Sequence, residues 1–185
     1  MNTLISTWLG HWHRLRGHSV HHVLGWRVWL ERHASEREAV ELLSRLERIL
    51  AMVGDAMPGH LEAMREHVTQ IRVIRFPCRG AFIATSRDLI IERTFLADPA
   101  RYDAEIAATL VHEGEHARLR GSGLAETLTL AEEERMCRAV EIALGERVPG
   151  GERVLERAHA AMQLADSEVA PEVDWNEAWR NVDVR

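Results

Sequence analysis

Residues 110–118 read LVHEGEHAR, and the way His112, Glu113 and His116 are disposed decides how the rest of the chain is understood. The stretch leading into them has the marks of one helix: Asp98 and Pro99 suit a cap and first turn, Asp103 is a second possible cap, and the pattern runs on to Gly121. On a helix, residues four apart are separated by about 6 Å along the axis and about 40° around it, so His112 and His116 project from one face. Two imidazoles so placed can reach one cation at about 2.0–2.1 Å each. Glu113 is rotated away from the pair, which suits a carboxylate that contacts a water on the ion without occupying the ion itself. Gly114 in mid-helix costs about 1 kcal/mol relative to alanine, a penalty expected where another element or a ligand comes close. Glu115 reads as a solvated surface residue.

A catalytic zinc commonly has three protein ligands and a water, so a third ligand is required from an element packed on the motif helix. After the RGSG connection (120–123), AETLTLAEEERMCRAVEIALG (125–145) has helical spacing and a stop at Gly145. So short a link folds that helix back as an antiparallel neighbour. Of Glu132, Glu133 and Glu134, only one can point at the ion. Glu134 is one turn after Leu130 and one turn before Cys137, on the side that meets the motif helix; Glu133 is the alternative. Cys137 reads as a small packed residue rather than a nucleophile.

HEGEH (112–116) followed by EEERMC (132–137) resembles the zincin superfamily, in particular the gluzincin branch, and is similar to small bacterial H-E-x-x-H domains. The resemblance covers residues 71–145. It implies zinc (Zn2+) held by His112, His116 and Glu134, with Glu113 as general base and the strand before the motif helix bordering a substrate cleft. The chain departs from the pattern at one position. Some gluzincins carry an acidic residue one turn after the ligand glutamate that orients a metal histidine, whereas here Arg138 stands there, and arginine cannot accept an imidazole proton. Tyr102, the single tyrosine, would lie about 15 Å before His112 on a continuous helix, so His159 on the last helix is the better candidate for a catalytic donor.

Working outward, IRVIRF (71–76), GAFIA (80–84) and DLIIERTFL (88–96) are rich in β-branched or aromatic residues and predict a sheet of about three strands. SEREAVELLSRLERILAMVG (35–54) predicts a helix, with Ser35 and Glu38 as a capping pair and an apolar stripe through Leu43, Leu46 and Leu50. GHLEAMREHVTQ (59–70) predicts a shorter one, and Val20, Val23, Leu24 and Val28 recur at helical spacing over 19–33. ERVLERAHAAMQLA (152–165) predicts the last helix. The expected fold is α+β, a minimal zincin-like domain: an N-terminal helical segment (1–70) on a metal-binding core (71–166), with a C-terminal tail (167–185).

The 185 residues suffice for one domain with a packed core, and 46% hydrophobic with 28% charged residues is ordinary for a globular chain. The formal charge of −6 provides no field for a polyanion, so nucleic acid is not an expected partner. All 23 basic residues are arginine, which excludes chemistry that needs a lysine amine. Two cysteines, Cys78 and Cys137, cannot make a disulfide framework, and no apolar run of about 18 residues or leader pattern occurs; a cytoplasmic protein with no membrane segment is expected. The sequence does not indicate an oligomeric state. The leading expectation is a zinc-dependent hydrolase of the metallopeptidase kind, acting on a peptide or other amide. The alternatives are a non-catalytic zinc protein with a structural, sensing or partner-binding role, and a metal-free helical module docking through Trp175 and Trp179. A second histidine group, His11, His13, His18, His21 and His22, has no carboxylates in register and is not expected to bind metal.

Overall fold

Five strands form a mixed sheet in the computed structural model, which describes residues 18–31 and 35–170. They are β1 (His18–Val23), β2 (Trp26–Glu31), β3 (Gln70–Ile74), β4 (Gly80–Ile83) and β5 (Asp88–Glu92), lying side by side as β1-β2-β3-β5-β4. The inner strands β2, β3 and β5 are parallel, and the edge strands β1 and β4 are antiparallel to their neighbours. Parallel inner strands covered on both faces read as continuous apolar runs, and every residue of β5 is buried. Its two acidic ends are paired: Asp88 with Arg72 at 2.5 Å and with Gln70 at 2.8 Å, and Glu92 with Thr94 and the Phe95 amide at 2.6 Å each.

The helix expected over 19–33 is absent; the segment is the β1–β2 hairpin, part of the same sheet as β3 to β5. Trp26, Val28 and Leu30 are buried while Arg27 is exposed, a period of two that the scattered valines disguise as a period near 3.6. The turn is two residues, Leu24 and Gly25, at φ 46° and 90°, the left-handed pair a tight hairpin demands. On β1, His18 stacks on Trp29 at 3.9 Å, and His21 Nε2 lies 2.7 Å from Ser19 Oγ. His11, His13, Trp175 and Trp179 lie outside the described residues.

The helices are α1 (Glu36–Ala56), α2 (Pro58–His67), α3 (Arg93–Ala97), α4 (Asp103–Gly121), α5 (Leu130–Gly145), α6 (Glu152–Met162) and α7 (Asp166–Val169), with a 3₁₀ turn at Leu124–Thr127. As expected, Ser35 caps α1, its hydroxyl accepting from the Glu38 amide at 3.2 Å. From the same helix Arg45 reaches into the loop before α4. Its guanidinium donates to the carbonyls of Leu96 and Asp98 at 2.8 Å and of Arg101 at 2.5 Å, and to the Asp103 carboxylate at 2.8 Å. Those bonds fix where α4 begins.

Residues 104–115 of α4 are all buried, so this helix crosses the interior with neighbours on nearly every side. Gly114 shows why. A Cβ there would lie 2.5 Å from Met64 Cγ and 3.2 Å from His60 Nε2, both on α2, so α2 and α4 meet at a distance only glycine allows. Among the described residues, no helix is long and apolar enough to cross a membrane.

Candidate metal centre

Helix α5 supplies the wall opposite the two histidines. Its start is set by a reciprocal cap: the Thr129 hydroxyl accepts from the Glu132 amide at 3.2 Å, and the Glu132 carboxylate accepts from the Thr129 amide at 2.7 Å. That phase leaves Glu132 exposed and turns Glu133, Cys137 and Glu141 inward, with Glu134 partly exposed beside them.

His112 and His116 stand one turn apart on α4, their ring centroids 5.0 Å apart and edge to face. His112 Nε2 is 3.4 Å from Glu134 Oε2, and His116 Nε2 is 3.2 Å from Glu134 Oε1. The structure thus brings His112, His116 and Glu134 together. The other ring nitrogens are held differently. Nδ1 of His112 is 2.7 Å from Glu141 Oε1, and Nδ1 of His116 is 2.7 Å from Glu133 Oε1. A carboxylate can only accept, so each Nδ1 donates its proton and each Nε2 is left to face Glu134.

The two kinds of contact differ in length for a reason that bears on metal binding. Contacts of 2.7 Å are charge-assisted hydrogen bonds. Two ligands that each lie about 2.0–2.1 Å from one tetrahedral ion are about 3.3 Å from each other, and the Nε2–Glu134 spacings match that figure. The two imidazoles face different oxygens of Glu134, and the donor atoms that all lie within 4.8 Å of one another, a group that could hold a metal ion, are those of His112, His116 and Cys137.

Behind the ring, each orienting carboxylate is itself anchored. Glu141 also accepts from Arg138 Nη1 at 2.5 Å and, from α6, Arg157 Nη2 at 3.0 Å; Glu133 accepts from Arg120 Nε at 2.9 Å. Arg138 is thus one step removed from the imidazoles: Glu141, one turn further along, holds His112, and Arg138 holds Glu141. Glu133, the alternative third ligand in the sequence, orients His116. Sequence reasoning misses both orienting roles, yet Glu141 is seven residues after Glu134 and so shares its helix face, a signal the spacing does carry.

Burial opposes charge on the two imidazoles, but Glu134 with Glu141 at His112, and Cys137, Glu133 and Glu134 at His116, outweigh it and raise both above the ordinary value. Burial likewise works against the Glu134 carboxylate, and the His112 and His116 imidazoles beside it overcome that, holding Glu134 far below the usual carboxylate range. Glu113 moves the other way: burial raises it, only partly offset by His112 and His116. It is boxed in by the edge strand, since a Cβ on Gly80 would stand 3.1 Å from Glu113 Cγ and 2.6 Å from Thr109 Cγ2. Gly80 therefore lets β4 close over the carboxylate, and nothing in GAFIA (80–84) marks it for that role.

Cys137 is fully buried on α5, and its sulfur and one ring nitrogen of each histidine all lie within 4.8 Å of one another. Burial first, with the Glu134 and Glu113 charges, raises its thiol to about 11, against the lowering effect of His116.

Three other positions differ in setting. His159 is exposed on α6, whose contact with the cluster is made by Arg157. Glu115, expected at the surface, is buried, bonded to Arg118 at 2.6 Å and 3.8 Å from His60. Tyr102 is exposed at the start of α4, with the Arg153 guanidinium 4.8 Å from its ring centre. Comparison with protein-family models, curated proteins and solved structures gave no significant match.

Proposed function

We propose that this protein is a zinc-dependent hydrolase of the metallopeptidase type, resembling the gluzincins, with His112, His116 and Glu134 as metal ligands and Glu113 as general base. The observation that carries it is the convergence of both Nε2 atoms on one carboxylate at 3.2 and 3.4 Å while both Nδ1 atoms are fixed by other glutamates. A zinc ion bound there would polarise a scissile carbonyl and bring the pKa of its water toward about 7.

The chain's own groups supply the rest. Glu141 and Glu133 lock the tautomer and direction of the two imidazoles. Glu113, raised by burial, is suited to take a proton from water and return it to the leaving amine. β4, the edge strand of the sheet among the described residues and pressed on Glu113 through Gly80, would give an extended peptide a strand to lie along. A cytoplasmic setting and a peptide or protein substrate belong to the same reading.

The test is Glu113→Gln. Elemental analysis of untagged protein should give about one zinc per chain in both wild type and variant, and none in His116→Ala. Cleavage of a quenched fluorescent peptide library by the zinc-loaded wild type should fall about 10²- to 10⁴-fold in Glu113→Gln. Zinc lost along with activity would show Glu113 to be a ligand and not a base. A non-catalytic zinc site is a second reading, favoured by one observation, the Cys137 sulfur beside the two imidazoles.

A further inference from the structure

We infer that Cys137 is a fourth metal ligand in the resting protein, its sulfur taking the coordination position that water would otherwise hold. The inference rests on the metal reading above and specifies how access to that site is controlled.

Three residues of α5 fall on one stripe: Glu134, Cys137 and Glu141, spaced by three and four. The first faces both Nε2 atoms and the last holds Nδ1 of His112. Cys137 lies between them with no exposure, on the wall the imidazoles face. Zinc–sulfur and zinc–nitrogen bonds of about 2.3 and 2.0–2.1 Å put sulfur and nitrogen about 3.5 Å apart in a tetrahedron. With all three donor atoms already within 4.8 Å, the set has to contract by no more than about 1.5 Å, the scale of a side-chain rotation. Thiolate is also the softest donor present and is well matched to zinc. A metal ion takes such a ligand as thiolate, the thiol proton leaving to solvent.

The consequence is a closed set of two histidines, one glutamate and one cysteine. Such a site holds metal firmly and admits water or a substrate carbonyl only when one ligand leaves. Cys137 is the ligand that can leave without disturbing the groups anchored by Glu133 and Glu141.

Cobalt reports the difference. Loaded with Co(II) in place of zinc, the wild-type protein should show visible d–d bands of a four-coordinate ion together with a strong near-ultraviolet thiolate-to-cobalt charge-transfer band. Because the chain has only two cysteines, Cys78→Ser leaves Cys137 as the single thiol without altering the interior. The charge-transfer band should persist in Cys78→Ser and disappear in Cys137→Ser while the d–d bands remain. If d–d bands form in wild type and Cys78→Ser with no charge-transfer band, Cys137 is not a ligand, and the three-ligand site stands. A band lost in Cys78→Ser would assign the sulfur to the other cysteine and overturn the inference. Failure of the wild type to bind cobalt at all would defeat the metal reading itself.

Discussion

Glu141 answers to three partners at once: the His112 imidazole and the guanidinium groups of Arg138 and Arg157. Removing its charge while keeping its shape leaves an imidazole without an acceptor of full strength and two arginines without their counter-ion. Carboxylates that orient metal-bound histidines are worth about 10- to 100-fold in metal affinity when altered. Glu141→Gln is therefore expected to weaken zinc by about that factor, measured by competition with a chromogenic chelator. An unchanged affinity would mean that the Nδ1 bond does nothing for the metal.

The β1–β2 hairpin is where the elements of this fold are least well served by their sequence. Leu24 is held at φ 46°, a region that β-turns fill with asparagine, aspartate or glycine. Leu24→Asn creates the Asn-Gly pair such turns prefer and removes an exposed leucine. Equilibrium denaturation in urea should show a gain of about 1 kcal/mol; a loss would mean that the leucine packs against something its exposure conceals. The same turn explains why the hairpin is illegible in the sequence. An Asn-Gly pair at 24–25 would announce it, but with leucine at the first of those positions the flanking valines fit a helical stripe as well as a strand. Elements with strong local signals are legible, among them Ser35-capped α1, β3 to β5 and the Gly-bounded α5. At the site, His112, His116 and Glu134 stand out because helical spacing puts them on facing surfaces, with Glu113 next to the first histidine. Gly80, whose missing side chain gives Glu113 its clearance, and the buried pairing of Glu115 depend on contacts between elements distant in the chain, which spacing along one element does not encode.

At the scale of the whole molecule, the proposed ion joins α4, the helix that runs through the interior, to α5, packed along its flank. Metal that binds the folded state alone stabilises it by about 4 kcal/mol at a thousandfold excess over Kd. For a domain of this size that is a rise of roughly 8–16 °C in Tm, to be read by calorimetry with and without chelator. His116→Ala should abolish the shift. A thermal transition indifferent to zinc in the wild type would remove the ion from the fold's support.

The unequal exposure of the three proposed ligands has a kinetic corollary. His112 and His116, at 9% and 14%, are rooted in a helix walled in along its length, whereas the Glu134 side chain is 24% exposed. An ion arriving from solvent would meet that carboxylate first. On the proposed reading, exchange of a cation with solvent would run past the Glu134 carboxylate, the doorway side chain of the centre.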